Sequence, residues 1–435
     1  MENTLFQKIG KVYFIVVAVL MYYFITQEIN LGLFITFRHA FALLLFLSAF
    51  VAFLYKPNIA RGVSSLKSTF VYCTPLIVTV LVSLFIWFSG QEDANVISRG
   101  LSGTFVYTNM LSHTLAAVSL LYIFGEKGIW YNLIAILISN LLMILTIIAQ
   151  YGLGSFFSEF ITLITTFAGE TGDIIVQAEV HELAFCLGAY LIYMLLKPKK
   201  NLVFLILLAL TALCFLTAFK RIGIIAIAVA LLFGWFLKLI AKLKKETAFF
   251  ITIIFTIVMI FILVGYVAII KWGVFTKLEQ AGIDTSGRVE IYNAVDKFYE
   301  FSPEFLGHGI SFLSYQLSTT NMNIEVTAVH NDFLQYFIDL GFWGYILWLI
   351  SMTLVRVIYF GGKGKCENGI ITFSLMLYLV IASSTDNTIN YPLLTTVLAV
   401  IMIGHGFDDR VRKNEMKMFG SVSDANRETK GEALL

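Results

Sequence analysis

Three side chains have residue types and settings that could bind an anion and move a proton: Arg221, Arg288 and His330. A guanidinium donates two parallel, charge-assisted hydrogen bonds to phosphate oxygens. An imidazole has an unperturbed pKa of about 6.5 and can exchange a proton near neutral pH. A phosphate-bearing substrate with a reacting hydroxyl group is the kind of ligand that such a set would handle.

Arg288 begins a segment in which apolar residues recur at helical spacing, which predicts an α-helix. The recurring residues are Ile291, Tyr292, Val295, Phe298 and Tyr299. Ser286 is a suitable N-cap, and Gly287 permits close approach of a ligand. Because a helix N-terminus favours an anion, we favour pyrophosphate binding by Arg288 over an ion pair with a nearby glutamate.

Lys220 and Arg221 lie between two apolar stretches with almost no connector. Both cations must therefore lie at the membrane surface. Phosphate binding and simple snorkelling of a basic side chain both remain open for Arg221, whereas snorkelling is favoured for Lys220.

His330, Asn331 and Asp332 mark the start of another apolar stretch. A lone histidine at a helix start is usually a cap, but two arginines on neighbouring elements favour proton transfer by His330. Asn331 and Asp332 are candidate supporting residues. Asp332 also forms a polar stripe with Gln335 and Asp339, which we expect to orient the helix by interhelical hydrogen bonds.

Weaker candidates lie at other predicted helix ends: Arg99, Glu182 and Asp386. Glu179 and Glu182 flank His181, but this spacing is too nonspecific to predict a metal site. The chain has no P-loop, no D-x-D pair, no H-E-x-x-H and no C-x-x-C motif, so we expect neither a metal nor another cofactor.

Composition places these residues in a membrane protein. Hydrophobic residues make up 59% of 435 positions and charged residues 13%, against about 25% charged in soluble domains. The net charge of +2 gives no reason to expect nucleic acid. The fold class predicted is an all-α polytopic membrane protein.

Apolar runs of about 20 residues predict about twelve transmembrane helices. They lie near 12–26, 36–55, 70–89, 102–124, 129–149, 179–196, 202–219, 222–239, 249–270, 331–355, 369–385 and 391–406. Residues 1–270 thus hold helices 1–9, and residues 331–406 hold helices 10–12. Residues 271–330 form one long extracytoplasmic loop with helices of its own, in which His308 is expected in a turn.

Most Lys and Arg residues fall on one side of this arrangement, including Arg356, Lys363 and Lys365 in one inner connector. The positive-inside rule then predicts that both termini are cytoplasmic and that the long loop is outside. Residues 407–435 are predicted to be a mostly disordered cytoplasmic tail.

The order of these motifs resembles the O-antigen ligase and polymerase superfamily. The resemblance rests on Arg221-Ile-Gly at a helix junction, on Arg288 and Pro303…Gly307-x-Gly309 in a long outer loop, and on His330-Asn331. It covers roughly residues 200–350 by motif. Family members often carry asparagines where this chain has residues 177–182, which leaves the role of that segment open.

The resemblance implies a metal-independent glycosyltransferase in the bacterial cytoplasmic (inner) membrane that uses an undecaprenyl-pyrophosphate-linked glycan. Arg221 and Arg288 would bind the donor pyrophosphate, and His330 would be the general base for the acceptor hydroxyl. A polymerase of O-antigen, capsular or exopolysaccharide repeat units is favoured, with a flippase and a chain-length regulator as partners. Ligation of glycan to lipid A core is the alternative; a lipid-linked glycan transporter and a structural scaffold are more distant ones.

Overall fold

The computed structural model describes residues 8, 11–12, 14–16, 18–20, 37–90, 92–166, 180–217, 221–282, 287–319, 329–362 and 366–418. All regular secondary structure in these ranges is helical, which confirms the predicted all-α class. The α-helices with defined bounds are α1 (Phe37–Tyr55), α2 (Ile59–Tyr72), α3 (Thr74–Phe88), α4 (Ala94–Phe124), α5 (Lys127–Tyr151), α6 (Leu153–Thr166), α7 (Val180–Leu196), α8 (Leu202–Thr217), α9 (Arg221–Leu243), α10 (Lys245–Lys271), α11 (Val274–Gln280), α12 (Arg288–Val295), α13 (Phe312–Thr319), α14 (Asp332–Leu349), α15 (Val355–Gly361), α16 (Cys366–Ser383) and α17 (Pro392–Gly404).

Among the residues described, five helical stretches are long and apolar enough to cross a membrane: α5, α9, α10, α14–α15 and α16. The pair α2–α3 would add a sixth, bent by 51°. Shorter apolar segments lie in α1, α4, α7, α8 and α17. Helices therefore occur where spans are expected from residue 36 onward, while the number twelve and the orientation of the termini stay predictions.

The surface of these helices is apolar, as a membrane environment requires. Phe261 and Ile262 on α10 expose 70% and 63% of their surface, and Leu232 on α9 exposes 65%. Exposing this much apolar surface to water would be unfavourable, whereas contact of the same side chains with lipid tails is not.

The bend between α2 and α3 falls inside one predicted span, 70–89. Helix α2 ends at Tyr72, and Pro75 lies in the first turn of α3. Proline has no backbone N–H to donate to the preceding turn, so a continuous helix is interrupted there.

Helix α14 is also broken, at Gly341, whose φ is +70°. The break lets the chain at residues 305–309 pack directly on the helix backbone: Phe342 N donates to the Phe305 carbonyl at 2.9 Å. A Cβ at Gly341 would lie 2.1 Å from the carbonyl carbon of Leu306. Only glycine fits this conformation and this approach.

Beyond the break, α14 continues through a π-helical turn (Ile350–Leu354) into α15. The sequence-based prediction that Arg356 lies in an inner connector is therefore wrong. Because the helix extends to Gly361, Arg356 lies inside it, with 4% of its surface exposed.

The segment that follows α10 folds back on α14. Lys271 donates to the carbonyls of Asp296 and Tyr299 and pairs with the Asp296 carboxylate at 2.9 Å. Aromatic rings of the segment, such as Phe301 and Phe305, stack on Phe337 of α14. The end of the bundle that carries this segment is called the loop end below.

Helix α12 is shorter than the predicted stripe. It ends at Val295 and is followed by a 3₁₀ turn (Asp296–Phe298), so the stripe continues to Tyr299 without α-helical geometry. Its N-cap is Gly287 with φ +72°; Ser286, expected in that role, lies outside the described residues.

The opposite end of the bundle is closed by the start of the expected tail. Residues 407–418 are helical rather than disordered, and Phe407 is completely buried. Asp408 pairs with Arg61 at 3.3 Å and accepts a hydrogen bond from the Glu126 backbone. These contacts explain why this part is ordered, because the Asp408 carboxylate, one of the charges that suggested a solvated tail, is paired with α2 and bonded to the α4–α5 turn.

Candidate functional site

His330 lies at the loop end, just before α14. Its backbone φ is +50°, a region that only a few per cent of non-glycine residues adopt. Its side chain is 51% exposed, and Nδ1 lies 3.8 Å from Asp386 Oδ1. This separation is too long for a hydrogen bond but within range of a charge interaction.

Arg288 approaches the same part of the chain from α12. Its guanidinium donates from Nη2 to the carbonyl oxygen of Thr385 at 3.1 Å. Thr385 and Asp386 are neighbours in the connector between α16 and α17. The two sequence-predicted residues Arg288 and His330 therefore contact consecutive residues of one connector.

The connector is held by hydrogen bonds that fix Asp386 and its neighbours. Tyr391 donates to Asp386 Oδ1 at 2.9 Å. The Ile389 backbone donates to Asp332 Oδ2 at 2.9 Å. Asp332 itself is completely buried, so it serves to join α14 to the connector.

Asn331 joins the start of α14, next to His330, to α12, the helix that begins with Arg288. Its side-chain oxygen accepts from Leu334 N and so caps α14. Its Nδ2 donates to the hydroxyl groups of Tyr292 in α12 and Tyr266 in α10, at 3.0 and 3.2 Å. Three elements of the loop end thus meet at one buried amide.

Arg221 is the first residue of α9 and is exposed. Two contacts between α9 and α16 show at which end of the bundle it lies. Lys238 pairs with Glu367 at 3.5 Å, and a Cβ at Gly234 would lie 2.7 Å from Ser374 Oγ, so the two helices run antiparallel. From the second contact, Arg221 is about 20 Å along α9 and Ser383 about 14 Å along α16, at 1.5 Å per residue. Arg221 therefore lies toward the same end of the bundle as the connector that Arg288 and His330 contact.

The remaining predicted residues have structural contacts of their own. Glu182 in α7 accepts a hydrogen bond from Leu393 N at 2.5 Å, so it caps the helix that follows the connector. Arg99 in α4 stacks over the ring of Tyr315 in α13, 5.5 Å from its centroid. Glu182 thus adjoins the connector, whereas Arg99 contacts the loop segment.

The polar stripe of α14 bonds both to a spanning helix and to the loop. Asp332 makes the expected interhelical hydrogen bond, with Ser383 of α16. Asp339 instead accepts from the backbone N–H groups of Ser311 and Leu313, at 3.0 and 3.1 Å, and its backbone carbonyl accepts from His308 N and Gly309 N. Asp339 therefore clamps residues 308–313.

The sequence predicts only that His308 lies in a turn, and nothing in it indicates a contact with Glu92. Nδ1 lies 2.6 Å from Glu92 Oε1, and Nε2 lies 3.0 Å from the carbonyl oxygen of Phe298. The ring also stacks on Phe312, with centroids 3.9 Å apart. This contact joins the α3–α4 connector to the loop.

Several expectations fall outside the described residues: Lys220, Gln177, Glu179 and the side chain of His181. Within the described part of the chain, no group of three or more His, Cys, Asp or Glu side chains is arranged to hold a metal ion.

Residues 205–349, about a third of the chain, match a family model described as O-antigen ligase. The match confirms the resemblance predicted from the motifs, and it includes Arg221, Arg288 and His330. No curated protein matches the chain.

Proposed function

Because this chain carries a domain of the O-antigen ligase family, we propose that it transfers a glycan from undecaprenyl pyrophosphate to a sugar hydroxyl. The acceptor is the next lipid-linked repeat unit, so that the product is a polymer: O-antigen, capsular polysaccharide or exopolysaccharide. The reaction takes place on the outer face of the bacterial cytoplasmic membrane and needs no metal. A flippase would supply the repeat units and a chain-length regulator would limit the product.

The observation that supports a single site is the shared connector. Arg288 bonds to the Thr385 carbonyl, and His330 faces the Asp386 carboxylate. A guanidinium and an imidazole that contact two neighbouring residues match the two needs of the reaction, a stabilised leaving group and a proton acceptor.

In this proposal the arginines bind the donor. The guanidinium of Arg288 has five N–H donors, and one of them bonds to the Thr385 carbonyl. Arg288 and Arg221 bind the pyrophosphate oxygens and offset the negative charge that develops as the bond between the anomeric carbon and the phosphate oxygen breaks. Undecaprenyl pyrophosphate is the leaving group.

His330 is the base. Its Nδ1 faces Asp386, which favours the tautomer with the proton on Nδ1 and leaves Nε2 to accept. Nε2 takes the proton of the acceptor hydroxyl while the acceptor oxygen forms the new bond to the anomeric carbon. Asp386 is a positioning residue in this scheme, and it stabilises the imidazolium that results.

Asn331, Asp332 and Glu182 support these groups through the backbone. Asn331 caps the helix behind His330, Asp332 anchors the connector, and Glu182 caps the helix after it. Arg99, through Tyr315, supports α13 of the loop.

Transfer of glycan to lipid A core is the second candidate, and the description of the matched family as O-antigen ligase favours it. The two reactions use the same donor and differ in the acceptor. They are therefore distinguished by product: loss of a polymerase removes long lipid-linked chains, whereas loss of a ligase lets them accumulate unattached.

The test is repeat-unit transfer by the purified protein in proteoliposomes with lipid-linked repeat units, followed by gel analysis of chain length. Arg288→Ala and His330→Ala are expected to abolish elongation, and Lys277→Ala, which removes an exposed cation of the same segment, to leave it intact. Full-length polymer from both site variants would contradict the proposal. Arg288→Lys distinguishes a bidentate site from a snorkelling cation, because lysine cannot reproduce the planar fork.

A further inference from the structure

Arg356 is a charged residue in the interior of the bundle that the proposed reaction does not use. It lies in α15, within the candidate span Asp332–Gly361, and only 4% of its surface is exposed. An ionised side chain at such a position is costly unless its charge is compensated.

The protein supplies only part of that compensation. Nη2 donates to the carbonyl oxygen of Tyr72 at 2.5 Å, at the break between α2 and α3. The guanidinium carbon lies 4.0 Å from the centroid of the Tyr72 ring, and Nη1 lies 3.9 Å from Met376 Sδ. A carbonyl, a ring face and a thioether are dipolar or polarisable partners, and none of them carries a negative charge.

Within the described part of the chain, no carboxylate pairs with Arg356, and its buried Nε has no hydrogen-bond partner. Arg61 is the useful comparison. Its Nε is also without a hydrogen-bond partner and it also donates to a carbonyl, that of Tyr122, but it pairs in addition with the Asp408 carboxylate.

Arg356 lines a cavity of about 20 Å³ bordered by residues of α2, α3, α14, α15, α16, α17 and the α16–α17 connector. The space exceeds the 10–15 Å³ or so that one water-sized species needs, and it is far too small for a diphosphate. The ligand must therefore be monatomic or nearly so.

The charge of Arg356 favours an anion over water in this cavity. A water molecule can accept a hydrogen bond from the guanidinium, but it leaves the positive charge uncompensated, whereas a small anion accepts the bond and also neutralises the charge. Part of the wall is apolar or aromatic, including the stacked rings of Tyr336 and Trp348. Such surroundings suit a weakly hydrated anion.

We propose that this cavity binds one small monovalent anion, such as chloride, as the counter-ion of Arg356. The anion neutralises the guanidinium and so stabilises the junction of α2–α3 with α15. This site borders the same α16–α17 connector as the proposed glycan site but through other residues, Thr388 and Ile389, and it does not depend on the function proposed there.

The test is the thermal unfolding midpoint of the full-length purified protein in sodium chloride, sodium bromide and sodium gluconate at equal ionic strength. An anion that binds only the folded state raises the midpoint in a concentration-dependent way. Chloride and bromide are expected to raise it, while gluconate, which is too large for the cavity, is not. Equal midpoints in the three salts would overturn the proposal without any variant.

Arg356→Met is expected to remove the difference between chloride and gluconate. Arg61→Met is the matched control: it removes an arginine that already has a carboxylate partner, so it should lower the midpoint in every salt and keep the chloride effect. A chloride effect that persists in Arg356→Met would place the anion elsewhere and overturn the assignment. If Arg356→Met does not fold, an anomalous bromide peak beside Nε of the wild-type protein supports the site, and a cavity without bromide contradicts it.

Discussion

His308 is bound by two acceptors, Glu92 through Nδ1 at 2.6 Å and the Phe298 carbonyl through Nε2 at 3.0 Å. A neutral imidazole has one N–H, so it can donate to only one of them, whereas the imidazolium donates to both. With Glu92 ionised, the geometry therefore favours the charged form. Burial lowers the pKa of His308, but the hydrogen bonds to Glu92 and Phe298 and the charges of Glu92 and Asp339 raise it more, and the net pKa lies above its usual value.

The first prediction follows from this raised pKa. The charged form of His308 contributes to the free energy of unfolding. This contribution is fully present below about pH 6.5, the ordinary pKa of histidine in an unfolded chain, and is lost as the pH rises through the higher pKa that His308 has in the folded protein. The thermal unfolding midpoint of the wild type should therefore fall over this range relative to that of His308→Gln.

The Glu92 carboxylate causes much of the rise in the pKa of His308. Glu92→Gln should therefore reduce the dependence of the thermal unfolding midpoint on pH. Glu304→Gln is the control, because Glu304 is an exposed carboxylate of the loop that bonds to Ser302. If Glu92→Gln and Glu304→Gln had the same pH profile as the wild type, the imidazolium assignment would be wrong.

The second prediction concerns Gly341. A side chain there would require φ +70° and would meet the backbone of Leu306 and Gly307, so Gly341→Ala should cost more than about 1 kcal/mol of unfolding free energy. Gly265→Ala in α10 is the control, since a Cβ there has nothing within 4 Å. That change should be neutral or stabilising by up to about 1 kcal/mol. Unfolding in denaturant compares the two, and equal stabilities would contradict the packing described.

The third prediction concerns the clamp of Asp339 on the loop. Asp339→Ala leaves the N–H groups of Ser311 and Leu313 without their acceptor, which costs about 1–3 kcal/mol for each buried group that stays unsatisfied. The loop between α12 and α14 should then be cleaved faster by added protease. Asp296→Ala removes a half-exposed carboxylate paired with Lys271 and should have a smaller effect. Cleavage as slow as in the wild type would show that the clamp is unimportant.

The fourth prediction separates Asp386 from His330. Loss of a general base costs about 10²–10⁴-fold in rate, so His330→Ala should lower turnover by that order. Asp386→Asn should lower turnover less and also change its pH profile, because the carboxylate near Nδ1 is replaced by a neutral amide. Thr396→Val, which alters a buried hydroxyl bonded to the Pro392 carbonyl, is the control. An unchanged pH profile in Asp386→Asn would remove Asp386 from the mechanism.

The helices and the residues at their ends could be predicted because they depend on local sequence. Apolar runs indicate where helices form, and Arg288 and His330 stand out as polar residues at the starts of such runs. The breaks at Cys73 and Gly341 were missed, since the runs of apolar residues continue through both of them.

The partners of these residues could not be predicted for a different reason. Arg288 bonds to a backbone carbonyl 97 positions away. Every residue has such a carbonyl, so residue type does not indicate which one accepts the bond. Glu92 and His308 are 216 positions apart and lie in connectors that are not periodic. A polar run between two apolar stretches, Ser383 to Asn387, was the available signal for the connector, and only Asp386 was selected from it.

The break at Gly341 is spanned by the loop that packs on it. Before the break, the carbonyl and the carboxylate of Asp339 accept from backbone N–H groups of residues 308–313. After the break, Phe342 N donates to the Phe305 carbonyl of the same loop. The two parts of α14 are therefore joined twice, once through the chain and once through the loop, which fixes the start of α14 next to His330 in relation to the rest of the bundle.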